Sequence, residues 1–231
     1  SQGVCMVPGL AAAFGTPLRA AVSLLPLVAS MSTGAQQAAV SKWEGMWGNG
    51  LQPGQAFDAT RSSPALVKLL DAKPCVTAPP HPKALVPGCG RGYDVVELAK
   101  RGFDALGLDI APTAVKSANE YRDGALEEDK RAHASFATTD FFNLKPEGRW
   151  EGGFDLIFDY TFLCAIQPDM REEWASKMKN LVSKDGELVT LIFPLGEYEG
   201  GPPFAMSGPL VRGLLEKEGF ESTYFEPVPT E

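Results

Sequence analysis

The glycine-rich segment 85–92, with the sequence LVPGCGRG, carries the strongest chemical signal in the chain. Its Gly-x-Gly-x-Gly pattern begins at Gly88, and glycines let a backbone approach a ligand closely because they have no side chain. Asp109 follows 21 residues after Gly88, and a carboxylate there can accept hydrogen bonds from both hydroxyls of a ribose. The two features together predict a site for a ligand that contains a ribose.

Each feature also has a plainer structural interpretation. Glycine-rich loops form ordinary turns, and this spacing differs from the Gly-x-Gly-x-x-Gly of nicotinamide enzymes. Asp109 alternatively caps a helix that begins after Ala111 and Pro112. Both interpretations stay open on these residues alone.

Two further acidic residues are followed by aromatic ones. Asp140 precedes Phe141 and Phe142, and Asp159 precedes Tyr160. A carboxylate can read the edge of an adenine while an aromatic ring packs on its face. Of the two phenylalanines, Phe142 is the one that we expect in the core.

Strand and helix patterns alternate from residue 62 onward. Buried apolar runs predict strands at 83–86, 104–110, 135–139, 155–159, 187–193 and 220–225. Helical patterns occupy 62–70, 93–100, 113–121, 168–182 and 207–218. This alternation predicts an α/β fold, a doubly wound and mostly parallel sheet. Ligands of such sheets bind at the carboxyl ends of the strands, where the acids and the glycine-rich segment fall.

The charge of the chain excludes some classes of function. The 231 residues carry a net charge of −8, which opposes an extended phosphate-binding surface, so we expect no nucleic-acid partner. Residues 1–43 contain Arg19 and Lys42 but no acid, whereas residues 44–231 hold 19 basic and 29 acidic residues, a balance of −10.

This charge asymmetry indicates a domain boundary. We expect 1–42 to be a leader and 43–231 to be the folded domain. The leader resembles an organelle transit segment or a signal-peptide core, or it is an unstructured extension. An internal start at Met31 would give a cytoplasmic product, while a transit peptide would direct the chain to a plastid or mitochondrion. No apolar stretch is long enough to cross a bilayer, so we expect no membrane partner.

The metal-binding residue types show no metal-binding pattern. The four cysteines are scattered, without the spacing of a zinc site, and predict free thiols. His81 and His133 are the two histidines of the chain, and we expect both at the surface. The sequence therefore predicts no metal ion and no catalytic histidine.

Several strings in one order resemble a known family. They read VPGCGRGYDVV at 86–96, GLDI at 107–110, DFF at 140–142, FDLIFDY at 154–160 with CAI at 164–166, DGEL at 185–188 and GGPPF at 200–204. With them the chain resembles the class I S-adenosylmethionine-dependent methyltransferases. Within that class it is similar to the thiopurine methyltransferase family, especially the plant and algal halide/thiol (thiocyanate) methyltransferases. The resemblance extends from about Trp43 to Phe225.

The resemblance implies roles for particular residues. Gly88 and Gly90 lie beside the methionine part of S-adenosylmethionine, and Asp109 binds its ribose. Asp140 and Phe141 lie at the adenine. The remaining implied residues line the methyl-donor pocket beneath an N-terminal lid, and they are Trp43, Trp47 and Tyr160, with Tyr160 also a candidate to position the substrate.

Two features depart from the family pattern. Phe57 stands where a pocket tryptophan is usual, which keeps an aromatic face with a smaller ring. The family continues past the sixth strand, so we expect that this chain is a fragment at its C-terminal end and possesses an unpaired edge. Trp43 and Trp47, spaced four residues apart, also fit the core stripe of a helix.

These observations predict a methyltransferase for a small anion or thiol. An aromatic sulfonium pocket without a catalytic base suits soft nucleophiles: halide, bisulfide, thiocyanate or thiol. A thiopurine is the alternative substrate. A nicotinamide oxidoreductase and an inactive cofactor-binding remnant are the alternatives of other classes. We expect a monomer.

Overall fold

The computed structural model describes residues 33–72 and 81–228. Its sheet contains five parallel strands, β1 Lys83–Pro87, β2 Asp104–Asp109, β3 Ala134–Thr138, β4 Phe154–Tyr160 and β5 Val182–Leu191. Their order is β3-β2-β1-β4-β5. The order reverses between β1 and β4, which is where α/β sheets of this kind bind ligands. The predicted doubly wound parallel fold is confirmed.

Helices cover both faces of this sheet. They are α1 Thr33–Gly48, α2 Pro64–Ala72, α3 Tyr93–Lys100, α4 Pro112–Ala125, α5 Glu128–Arg131, α6 Arg171–Leu181 and α7 Gly208–Lys217. Alternate strand residues face opposite layers. Leu85 and Ile157 contribute to the cluster that includes residues of α6 and α7, whereas Val86 and Phe158 contribute to the cluster with α2 and α3. The central strands β1 and β4 are therefore buried on both faces.

Helix α1 crosses the predicted domain boundary. It begins at Thr33, so the boundary between residues 42 and 43 falls inside a helix. The acid-poor composition of the leader extends into this helix, which explains why charge alone placed the boundary later. The described helices include none that is both long and apolar enough to cross a membrane.

The predicted sixth strand at 220–225 is wrong. A strand exists through hydrogen bonds to a neighbouring strand, and among the described residues this segment pairs with none. Phe220 is buried and Tyr224 packs on the α2–α3 side of the core. Side-chain packing holds the segment, together with a hydrogen bond that the Phe220 N–H donates to the Leu215 carbonyl at 3.1 Å.

Strand β5 begins earlier than its apolar pattern predicts. Phe154 pairs with Val182 and Leu156 pairs with Glu187, so residues 183–186 bulge out of the ladder. Lys184, Asp185 and Gly186 lie in this bulge. Helix α6 ends at Leu181, directly before the strand.

Candidate active site

The glycine-rich loop turns sharply between β1 and α3. Gly88, Gly90 and Gly92 have φ values of 59°, 51° and 80°, in the left-handed region that favours glycine. A Cβ at Gly88 would lie 2.7 Å from Phe162 Cδ2, and one at Gly92 would lie 2.6 Å from the Phe136 ring. The loop therefore excludes side chains for conformational and steric reasons together.

Asp109 joins this loop to the start of α4. Its Oδ2 accepts a hydrogen bond from the Gly90 N–H at 3.0 Å, and its Oδ1 accepts one from the Ala111 N–H at 2.9 Å. Asp109 does not cap α4, because the N-cap residue of that helix is Ala111 and it has no side-chain cap hydrogen bond. Asp109 instead holds the residue that precedes the helix. Because a carboxylate oxygen can accept more than one hydrogen bond, this role leaves capacity for ribose hydroxyls.

The charge state of Asp109 reflects its burial. Burial raises the pKa of the Asp109 carboxyl above its ordinary value, although the N–H groups of Ala111 and Gly90 oppose that rise. A desolvated carboxylate gains from each further donor that reaches it. The residue is therefore suited to a ligand that offers hydroxyl groups.

Three aromatic residues cluster over the loop. The Phe57 ring centroid lies 5.7 Å from that of Trp43 and 5.8 Å from that of Trp47. Trp47 is 4% exposed, and a Cβ at Gly90 would lie 3.2 Å from its ring. The two tryptophans lie on α1, and of the three rings it is Trp47 that packs against Gly90, while Phe57 is 39% exposed. The role of the three rings as the wall of a methyl-donor pocket stays a prediction.

The segment that carries these rings is fastened to the domain at two places. Arg91 donates from Nε to Asp58 Oδ2 at 2.7 Å and from Nη2 to the Leu51 carbonyl at 2.9 Å. Glu44 Oε2 accepts the Thr113 N–H, the second residue of α4, at 3.0 Å. We call residues 43–60 the cover segment and the Arg91–Asp58 pair its latch.

Asp58 receives hydrogen bonds from several directions. Besides Arg91, the N–H groups of Gly54 and Thr60 and the Tyr93 hydroxyl donate to Asp58 Oδ1. Burial favours a higher pKa for Asp58, but the Arg91 guanidinium and the backbone donors outweigh it and lower the pKa. The buried carboxylate therefore stays ionised and keeps its hold on Arg91.

Phe141 and Phe142 follow Asp140 in a short turn. Asp140 accepts the Phe142 N–H at 3.0 Å and caps this turn, while Phe141 is 3% exposed and packs in the core. The placement of Phe141 at the adenine stays a prediction. Phe142 packs against the same cluster but stays partly exposed.

Phe162 lies between Phe141 and the glycine-rich loop. Its ring centroid lies 5.0 Å from that of Phe141, and its Cδ2 lies close to Gly88. It therefore fills the space between the glycine-rich loop and the turn after Asp140. The sequence shows that Phe162 follows β4, but it does not show that its ring contacts Phe141, which follows β3.

The two residues of the second acidic-aromatic pair have different surroundings, Asp159 in the core and Tyr160 at the carboxyl end of β4. Asp159 is 1% exposed and accepts hydrogen bonds from Trp174 Nε1 at 2.8 Å and Leu163 N at 3.1 Å, so it is structural. Tyr160 ends β4, and its ring pairs with those of Phe158 and Phe193. Burial raises the pKa of the Tyr160 hydroxyl, which keeps it protonated.

Neither histidine belongs to this site. His81 precedes β1 and His133 precedes β3, at the amino ends of the strands, whereas the glycine-rich loop and Asp109 lie at the carboxyl ends. Cys89 and Cys164 are free thiols, as predicted, and Cys5 and Cys75 lie outside the described residues.

Sequence reasoning missed the latch and the Glu44 contact. The lone base inside the glycine-rich loop, Arg91, was a visible signal, because a cation there requires an acceptor. Nothing in the sequence identified Asp58 as that acceptor, since the two lie 33 residues apart.

Comparison with known proteins assigns the family. The family model "Thiopurine S-methyltransferase (TPMT)" matches residues 38–227. Thiocyanate methyltransferase 1 of Brassica oleracea is 37% identical over 187 residues, which cover 81% of this chain and 76% of that protein. The Arabidopsis thaliana protein named "Probable thiol methyltransferase 2" is 39% identical over 180 residues, which cover 78% of this chain and 74% of that protein.

Solved structures agree on the fold. Magnesium protoporphyrin IX methyltransferase from Synechocystis PCC 6803, with bound S-adenosylhomocysteine, aligns with a TM-score of 0.60 at 17% identity, covering 85% of this chain and 98% of that one. The cofactor of this chain is S-adenosylmethionine, and the glycine-rich loop and Asp109 fit it. On the match over residues 38–227 and these relatives, the chain belongs to the thiopurine S-methyltransferase family.

Proposed function

We propose that the protein transfers the methyl group of S-adenosylmethionine to a small soft nucleophile, namely halide, bisulfide, thiocyanate or thiol. The observation that carries this proposal is the likeness to the thiocyanate and thiol methyltransferases, at 37% and 39% identity over about four fifths of the chain. A thiopurine S-methyltransferase of Pseudomonas paraeruginosa is 33% identical over only 56% of the chain.

The cofactor is held from the carboxyl ends of the strands. Gly88 and Gly90 receive its methionine part, Asp109 accepts hydrogen bonds from its ribose, and Asp140 reads its adenine edge. The buried Phe141 ring leaves its backbone N–H as the group that meets the adenine, because the first N–H of a helical turn has no intrahelical acceptor. Phe162 supplies the aromatic surface beside it.

The aromatic cluster suits a positively charged sulfur. When bound, the cofactor supplies a methyl group that its sulfonium already activates. The faces of Trp43, Trp47 and Phe57 attract such a cation, by roughly 0.5–2 kcal/mol for each ring when the cation is desolvated. The latch holds these rings in place and keeps water out, and Tyr160 positions the incoming nucleophile.

The positions of the histidines favour a substrate that needs no base. Both lie at the opposite end of the sheet from Asp109. An anion has no proton to lose, and a thiol that ionises readily loses its proton to water before it attacks, so neither needs a base from the enzyme. Alcohols and amines are disfavoured for the same reason.

A panel of nucleophiles tests the proposal. The full chain is incubated with S-adenosylmethionine and, in turn, iodide, bromide, chloride, bisulfide, thiocyanate, an alkyl thiol and a thiopurine, and S-adenosylhomocysteine is measured. We expect turnover with at least one anion or alkyl thiol and little with a matched alcohol. Turnover with the thiopurine alone would move the assignment to the alternative substrate, and no turnover at all would favour an inactive remnant.

A further inference from the structure

Three metal-binding side chains meet at the end of the sheet remote from the cofactor. His81 lies two residues before β1, Asp104 opens β2 and His133 immediately precedes β3. These strands are neighbours in the sheet. The backbone fixes the cluster, because Asp104 N donates to Pro82 O at 2.9 Å and Ala105 N donates to His133 O at 2.7 Å.

The side chains approach closely as well. The two imidazole rings stack with centroids 4.6 Å apart, and His133 Nδ1 lies 2.7 Å from Asp104 Oδ1. One potential ligand atom from each residue lies within 4.8 Å of the other two. These are both of the histidines in the chain, brought together from positions 52 residues apart (133 minus 81).

We propose that His81, Asp104 and His133 bind one divalent cation of the zinc type at the amino ends of β1, β2 and β3. Two imidazole nitrogens and one carboxylate oxygen form a donor set that suits zinc, and water completes the coordination because His81 is exposed. Ligand atoms on one tetrahedral zinc ion lie about 3.4 Å apart. The more distant ligand atoms therefore draw together by up to about 1.4 Å, whereas His133 Nδ1 and Asp104 Oδ1, now 2.7 Å apart, separate as the ion replaces their direct contact.

The backbone at His81 supports this arrangement. His81 has a φ of 68°, a left-handed conformation that is unusual for a residue with a side chain. This conformation holds its ring over that of His133. A bound ion would join the starts of three adjacent strands and stabilise the folded chain by RT ln(1 + L/Kd), where L is the concentration of free ion. The metal site is structural, since the proposed methyl-transfer site lies at the opposite, carboxyl ends of the strands.

Zinc chloride titration of the full chain, free of any affinity tag, tests the site. Calorimetry should show one zinc ion per chain, and saturating zinc should raise the midpoint of thermal unfolding. His81→Ala, His133→Ala and Asp104→Asn should each weaken zinc binding at least tenfold. Asp129→Asn, an exposed neutralisation on the short helix α5 nearby, should bind zinc like the wild type.

A second binding measurement controls for loss of folding in the variants and does not depend on the proposed activity. Binding of S-adenosylhomocysteine should be equal in all variants, which shows that they fold and that the result is independent of the proposed activity. His81 is exposed, so its alanine variant is informative even if His133→Ala fails to fold. Absence of zinc-dependent heat in the wild type, or undiminished zinc binding in His81→Ala, would overturn the proposal.

Discussion

At the scale of single residues, Asp109 orders the glycine-rich loop, and we propose that the same carboxylate binds the ribose of the cofactor. Its two oxygens accept the N–H groups of Gly90 and Ala111, and each oxygen can accept a further hydrogen bond. The atoms that shape the loop are therefore the ones that we expect to bind the ribose. Loss of this carboxylate affects both tasks.

We expect Asp109→Ala to weaken S-adenosylhomocysteine binding at least 100-fold, because hydrogen bonds to a charged acceptor contribute about 1.5–3 kcal/mol each. Isothermal titration calorimetry measures the change. Asp104→Ala, at the opposite end of the same strand, is the matched control and should bind normally. Wild-type affinity in Asp109→Ala would contradict the assignment.

The aromatic cluster allows a test that distinguishes attraction of the positively charged sulfur from simple packing against the cofactor. Phe57→Leu keeps an apolar side chain but removes the ring, so S-adenosylmethionine binding should weaken by about 2- to 30-fold, the equivalent of 0.5–2 kcal/mol. Binding of S-adenosylhomocysteine, whose sulfur carries no charge, should change far less. Phe57→Trp should strengthen binding of the charged cofactor. Equal losses for both ligands in Phe57→Leu would mean that the ring contributes packing alone.

At the scale of elements, the latch is one of the two places at which the cover segment is fastened to the domain. Arg91 makes two directed contacts, to Asp58 and to the Leu51 carbonyl, and its guanidinium also lies over the Trp47 ring at 5.3 Å. A lysine keeps the charge but loses this forked geometry.

Arg91→Lys should therefore raise the KM for S-adenosylmethionine about tenfold with a smaller change in kcat. Hydrogen exchange at the amides of Gly54 and Thr60, which donate to Asp58, should become faster. Arg101→Lys, at an exposed pair with Asp71 and Glu97, is the matched control. Unchanged exchange in Arg91→Lys would show that the cover segment is held by other contacts.

The local sequence pattern predicts the strands and helices that flank the site. Features that depend on contacts between distant parts of the chain could not be predicted in this way. β1 and α3 were predictable because a buried run leads into glycines that require positive φ. The segment at 220–225 has the apolar pattern of a strand, but pairing depends on a neighbour that its own residues cannot reveal. Likewise, Phe141 and Phe142 are equivalent in composition, and only the capped turn at Asp140 decides which ring enters the core.

At the scale of the whole molecule, the buried Asp159 makes stability depend on pH. Burial raises its pKa to about 6 despite hydrogen bonds from Leu163 and Trp174. A raised carboxyl pKa in the folded state favours folding below the ordinary value of 3.8, and this contribution is lost as pH rises through about 6.

The stability advantage of the wild type over Asp159→Asn should therefore be larger at pH 4 than at pH 7.5, by roughly 2–3 kcal/mol. Urea unfolding of both proteins at the two pH values gives the difference directly. A constant difference, or one that increases with pH, would contradict the raised pKa.

The central claim, that the carboxyl edge of the sheet carries out methyl transfer from S-adenosylmethionine to a soft nucleophile, is tested by following the methyl group itself. The full chain and its Asp109→Ala variant are sealed with cofactor labelled in the methyl group, together with iodide or bisulfide, and the headspace is analysed by mass spectrometry. We expect labelled methyl iodide or methanethiol from the wild type, and at least 100-fold less labelled product from the variant at subsaturating cofactor. Unlabelled or absent product from the wild type, or equal product from both proteins, would contradict this claim.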